Sequence, residues 1–72
     1  MIIRTQNSLA LFDLDKALSI SATETGEVVL ISYAGEVAYC LGEYGTQERA
    51  KEVLEEIFAF IGVQDKYDMP VI

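Results

Sequence analysis

Apolar positions in this chain alternate in some stretches, run unbroken in others, and take helical spacing only near residue 46. The alternation is strictest from Leu18 to Thr23, where Leu18, Ile20 and Ala22 fall on one side and Ser19, Ser21 and Thr23 on the other. That pattern predicts a half-buried strand. Ahead of it, residues 1–6 are short and β-branched, Asn7 and Ser8 supply a turn, and Leu9, Ala10, Leu11 and Phe12 make a second apolar run. Residues 24–27 (Glu-Thr-Gly-Glu) turn the chain into Val28 through Ala34, and Gly35-Glu36 turn it again into Val37 through Leu41, which predicts a hairpin.

The helix is predicted from Thr46, whose hydroxyl can accept from an otherwise partnerless first-turn N–H, and Glu48 sits at the positive end of its dipole. Ala50, Val53, Leu54, Ile57, Phe58 and Ile61 follow i, i+3, i+4 spacing and define one apolar stripe; Arg49, Lys51, Glu52, Glu55 and Glu56 form a charged, solvated face. Gly62 is the stop. Beyond it, Tyr67, Met69 and Val71 alternate like a short extended piece, and Pro70 confines that piece to an edge or a tail. The expected architecture is a single α+β domain: a small antiparallel sheet of about four to five strands in residues 1–44, a helix at about 46–61 and an extended tail at 63–72.

An unbroken apolar run such as Val28, Val29, Leu30, Ile31 places apolar groups on both faces of a sheet, and one helix covers only one face. The sheet can curl into a partial barrel, or a second copy of the chain can cover the open face. Chain length favours the second. Seventy-two residues are few for a self-sufficient core, Cys40 is the single cysteine, and the absence of histidine leaves no zinc-binding pattern. Covering several hundred Å² of apolar surface contributes on the order of 10 kcal/mol before association costs. A homodimer or higher symmetric oligomer is therefore expected.

Five Lys and Arg against twelve Asp and Glu give a formal charge of −7, which repels phosphate backbones and argues against DNA or RNA as a partner. No apolar stretch reaches the roughly 18 residues of a membrane span, and residues 1–6 do not resemble a signal peptide, so a soluble, cytoplasmic protein is expected.

Catalytic constellations are sparse. Without histidine a Ser-His or Cys-His nucleophile is excluded within the chain, and no enzyme activity, cofactor or metal is expected. Asp13 and Asp15 share a face if extended, but two carboxylates without a third ligand read as a solvated strand end. Cys40, in an apolar strand, reads as a buried small hydrophobe. Gly42 and Gly45 read as a tight strand-to-helix turn, since no phosphate-loop pattern or lysine accompanies them. Tyr33, Tyr39, Tyr44 and Tyr67 offer rings for stacking on a planar ligand, with Arg4 as a cation for a phosphate; packing explains aromatic residues equally well.

Three stretches, Met1-Ile-Ile-Arg-Thr-Gln-Asn7, Leu41 through Ile57 and Tyr67-Asp-Met-Pro70, resemble small proteins from phages and prophages of Gram-positive bacteria. These typically open with Ile-Ile-Arg-Ser/Thr-Gln, carry a Leu-Gly-x-Tyr turn before a Glu-x-Ala-x-x-Val-Leu helix, and follow it with Met-Pro. Within that group the chain resembles the Thoeris anti-defence sponges, which hold cyclic ADP-ribose type immune signals between subunits. The resemblance implies an oligomeric, non-enzymatic phage protein in the host cytoplasm that sequesters a nucleotide-derived signal at a subunit interface. Read from the residues themselves, Arg4, Tyr39, Tyr44, Thr46 and Tyr67 are the ligand-binding candidates, and Arg4, Tyr44 and Thr46 also fall within the resemblance. The alternative is an acidic protein-interaction module that inhibits a host defence protein.

Overall fold

The computed structural model describes residues 1–32 and 37–72; Tyr33 and the expected turn at Gly35 and Glu36 lie outside the described residues. Strand β1 (Ile2–Arg4) pairs antiparallel with β2 (Leu11–Asp13) on one side and parallel with β6 (Lys66–Asp68) on the other. Ile3, opposite Phe12 and Tyr67, supplies the inward face of this sheet. A 3-10 turn (Leu14–Lys16), capped by the Asp13 carboxylate accepting from the Asp15 N–H at 3.0 Å, leads to the second sheet. There β3 (Ala17–Ala22), β4 (Glu27–Ser32) and β5 (Ala38–Glu43) form an antiparallel meander in the order β3-β4-β5.

The α+β class and the single helix are as expected among the described residues, but six short strands divide into two three-stranded sheets. The division is topological. The last strand joins β1 in parallel, and a parallel pair requires a long crossover, here everything from β2 through the helix. Strand β6 occupies a sheet edge and Pro70 follows it without a ladder position, as its missing N–H demands.

Helix α1 (Gln47–Phe60) begins where expected, with Thr46 extended at φ −136° and its Oγ1 accepting from the Arg49 N–H at 3.2 Å. Gly62, at φ +80°, ends it, and the Val63 and Gln64 N–H groups close back on the Phe60 carbonyl at 3.0 and 2.9 Å. Its buried line is Ala50, Val53 and Ile57, with Phe60 edge-on to Tyr67 at 5.2 Å. Phe58 and Ile61, expected in the stripe, are instead 74% and 52% exposed. The reason is rotational: the helix turns the 50, 53, 57, 60 line inward, and residues 58 and 61 pass its edge.

Two bulges displace other expectations. In β3 the register shifts between Ala17 and Ser19, so Leu18 is the extra residue and lies exposed rather than beside Ile20 and Ala22. In β5, Val28 faces Gly42 while Val29 faces Cys40, which lets consecutive Leu41 and Gly42 both turn inward. Cys40 is thereby left on the outward face and is exposed, not buried as expected. The core gathers Ile3, Val28, Leu30, Leu41, Val53 and Ile57 where both sheets meet α1. The outer face of the β3-β4-β5 sheet is mixed: Val29, Ile31, Ala38 and Cys40 alternate with Ser19 and Ser21 across the strands. No helix among the described residues is long and apolar enough to cross a membrane.

Candidate functional site

The turn between β1 and β2 is built from local side-chain bonds. Thr5 Oγ1 donates to Asn7 Oδ1 at 2.7 Å, the same oxygen accepts from the Leu9 N–H at 3.0 Å, and the Ala10 N–H donates to Thr5 Oγ1 at 3.2 Å. Short polar side chains next to the backbone favour such a turn over a continued ladder. Gln6 then ties the turn to β5. Its backbone N–H donates to the Leu41 carbonyl at 2.8 Å, and its side-chain amide accepts from the Glu43 N–H at 2.8 Å while donating to the Glu43 carbonyl at 3.0 Å. Nε2 also donates to the Val71 carbonyl at 2.7 Å.

This junction leaves a cleft of about 450 Å³ between the turn and β5, within the range of small-molecule sites. Its walls include Thr5, Gln6, Asn7, Leu9, Phe12 and Tyr39. The Phe12 and Tyr39 rings stand 4.9 Å apart and tilted by 46°. Leu9 is 84% exposed, and no Lys or Arg is among the lining residues.

At the β5 side of the cleft, Glu27, Cys40 and Glu43 bring their ligand-type atoms within 4.8 Å of one another. Partial burial of the sulfur pushes the Cys40 thiol pKa up; a backbone hydrogen bond at Gly42 opposes this, and the Glu27 and Glu43 carboxylates add to the rise. The sulfur therefore rests as a thiol, a poor nucleophile. A thiol and two carboxylates are metal-ligand types, but partly exposed acidic groups gather in this way on an acidic surface without an ion.

Of the five ligand-binding candidates, only Tyr39 lines the cleft. Arg4 projects from β1 and pairs with Asp68 across the parallel ladder at 2.8 Å, both side chains largely exposed. Tyr44, at the β5-to-α1 junction, donates its hydroxyl to the Pro70 carbonyl at 2.8 Å and carries the Arg49 guanidinium 5.7 Å from its ring centre. Burial pushes its pKa up to about 12, against the lowering effect of Arg49. Thr46 is engaged as the helix cap. Tyr67 is buried, its hydroxyl lacking a hydrogen-bond partner; burial first, and Glu56 after it, raise its pKa. Tyr44, Thr46 and Tyr67 thus hold the helix and tail together, away from Tyr39.

Gln6, which joins turn, strand and tail, was missed as a functional residue; no period or spacing marks a lone glutamine, and only the resembling opening stretch contained it. Asp13 caps a turn and Asp15 lies 3.5 Å from the Met1 amino group, so they do not converge on a cation. Comparison with family models, curated proteins and solved structures finds no match for the chain.

Proposed function

We propose that this is a non-catalytic binding protein of phage origin, acting in the bacterial cytoplasm, that works as an assembly of its own copies. In this reading it sequesters a small planar, nucleotide-derived signal in the cleft between the β1–β2 turn and β5. The observation that carries it is the cleft wall, where the tilted Phe12–Tyr39 pair offers aromatic surface beside the polar groups of Thr5, Gln6 and Asn7. The exposed Leu9 belongs to this wall, and a neighbouring copy seated there would bury it and close the open side. The family resemblance of the Ile2–Gln6 and Leu41–Ile57 stretches points the same way.

The cleft also sets a condition on the ligand. A phosphate needs a cation, and none lines the cleft within one protomer's described residues. Arg4 or another cation of a neighbouring copy would have to supply it. Native mass spectrometry of protein taken straight from cells tests the reading, since it reports subunit number and retained small molecule together. Thermal shift against ADP-ribose, its cyclic isomers and cyclic dinucleotides extends it: saturating ligand should raise the melting temperature, and Tyr39→Ala should remove the rise. A single chain with nothing retained and no shift with any of these compounds overturns it.

A further inference from the structure

Strand β3 lies at the edge of its sheet, so its backbone groups face β4 and open space in alternation. The Thr23 N–H donates to the Glu27 carbonyl at 2.8 Å, and the β3–β4 register then turns the backbone groups of Ser21 and Ser19 toward Val29 and Ile31. Those of Ile20 and Ala22 point away from β4, and among the described residues no backbone group pairs with them. Edge strands are usually blunted by charge, proline or brevity. Here Ala17 through Thr23 hold neither a charge nor a proline, in a chain with 24% charged residues, and the bulge at Leu18 interrupts only the start of the strand. The other edges are protected: β2 and β6 are three residues long and carry Asp13, Lys66 and Asp68, while Gln6 engages the outer edge of β5.

We propose that β3 pairs antiparallel with β3 of a second copy about a two-fold axis through Ser21, joining the two meanders into one sheet. This register uses the free groups: Ile20 and the partner's Ala22 exchange N–H to carbonyl bonds, and Ala22 does the same with the partner's Ile20. Ser21 faces its own copy, with Cα atoms about 4.5 Å apart, and Ser19 faces Thr23, which sets hydroxyl against hydroxyl. Any extended segment can make such backbone bonds, and two further features select a second copy. The first is charge: antiparallel pairing brings Lys16, before each strand, to the end where the partner has Glu24, so unlike charges meet in a protein of net charge −7. The second is the helix, which packs on β3 and β4 of its own copy. With strands about 4.8 Å apart, two such helices on one face of the joined sheet lie about 10 Å apart, a helix-packing distance. Each turns toward the other the flank with Leu54, Phe58 and Ile61, which lines a concavity of about 260 Å³ over Ile20. Phe58 and Ile61, 74% and 52% exposed, gain there the cover that their own protomer does not give. The contact names one interface of the proposed assembly and does not depend on the ligand, since β3 is the edge opposite β5 and its cleft.

Ser21 is exposed, so a charge placed there tests the axis without entering the core. Sedimentation equilibrium should find the wild type as a dimer or a multiple of it. Ser21→Lys and Ser21→Glu each set like charges face to face and should raise the dissociation constant of this contact at least about tenfold, while an equal mixture of the two should recover a heterodimer. Circular dichroism checks that both variants keep the fold. Amide hydrogen exchange in the wild type gives a second reading. The Ile20 and Ala22 N–H groups should be protected at concentrations where copies associate and exchange freely in the single chain, whereas Ser19 and Ser21 stay bonded to β4 in both. Association that both substitutions leave intact, a mixture that fails to pair, or freely exchanging Ile20 and Ala22 amides in the associated wild type overturns this contact and leaves assembly to another face. A wild type that stays a single chain at every concentration overturns the contact and the assembly together.

Discussion

Gly26 is the residue on which the approach of the β3–β4 turn to the helix depends. Its φ of +90° is held by hydrogen bonds on both sides of the turn: its N–H donates to the Thr23 carbonyl at 3.2 Å and its carbonyl accepts from the Tyr44 N–H at 2.8 Å. A Cβ at this position would lie 2.4 Å from the Thr46 nitrogen and 2.8 Å from both the Gly45 carbonyl carbon and the Thr46 oxygen. All three atoms are backbone, so no side-chain rotation relieves the contact. Gly26→Ala must therefore move the start of α1 away from the turn. The left-handed conformation alone costs about 1–2 kcal/mol for a residue with a Cβ. Displacing Thr46 adds about 1 kcal/mol for the lost Tyr44 N–H bond and about 1 kcal/mol for a weakened helix cap. The sum is about 3–4 kcal/mol, a large share of the stability of any small domain.

Gly62 gives the matched control. Its φ is +80° and a Cβ there meets nothing within 4 Å, so Gly62→Ala carries the conformational cost without the collision. Urea denaturation followed by circular dichroism should rank the variants wild type, Gly62→Ala, Gly26→Ala, with the last two separated by about 2 kcal/mol. If the two alanine variants unfold at the same urea concentration, the close packing of turn against helix cap does not exist in solution.

Tyr44→Phe removes the hydroxyl that holds the Pro70 carbonyl at 2.8 Å and should cost about 1 kcal/mol, with faster amide exchange in the tail. Tyr44, pushed up to about 12, and Tyr67, also raised, bind protons more tightly in the folded than in the unfolded chain. Their contribution is complete below about pH 10 and is lost as the pH rises toward 12; a pH series of urea midpoints should fall across that window, and less steeply in Tyr44→Phe. Glu27 and Glu43 are directly opposite in the β4–β5 ladder, so Glu43→Gln should stabilise the protein by about 0.2–1 kcal/mol, an advantage that shrinks in high salt. The same change removes one of the charges that raise the Cys40 pKa, so the thiol should react faster with a disulfide reagent at fixed mildly alkaline pH.

Local patterns carried most of the fold. The Thr46 cap, the Gly62 stop and the apolar strand from Val28 are near-neighbour effects, and each appears where the residues place it. The two bulges were not legible, since an extra residue in a strand depends on the partner's register, and they moved Leu18 and Cys40 onto exposed positions. Helix rotation was only half legible: with apolar residues at 53, 54, 57, 58, 60 and 61, two stripes share the same spacing, and the buried one is selected by Ile3, Tyr67 and the sheets. The candidate cleft was the least legible part. Its walls come from residues 5–12 and 39–43, brought together by the backbone and side chain of Gln6, and one of the five sequence candidates, Tyr39, falls on it.

If the cleft takes a phosphorylated ligand as proposed, the distribution of cations would make its capture and the assembly of copies two sides of one equilibrium. Of the five basic residues, Arg4 is paired with Asp68, Arg49 with Glu52 and an Ile72 oxygen, and Lys16, Lys51 and Lys66 also lie away from the cleft. A nucleotide in a lone protomer would have aromatic and amide contacts but no cation for its phosphate, beside the negative Glu43. Affinity for a phosphorylated ligand should therefore fall as the protein is diluted through its assembly midpoint. Adding that ligand should in turn shift the midpoint to lower protein concentration by the same factor, because the coupling free energy is shared. Sedimentation velocity and ligand titration on one dilution series measure both halves. A dephosphorylated nucleoside, bound through the rings alone, should show a much weaker dependence on protein concentration. If nucleotide affinity is the same for dilute single chains as for the assembly, no neighbouring copy completes the cleft, and the shared-site reading fails even though the protein binds.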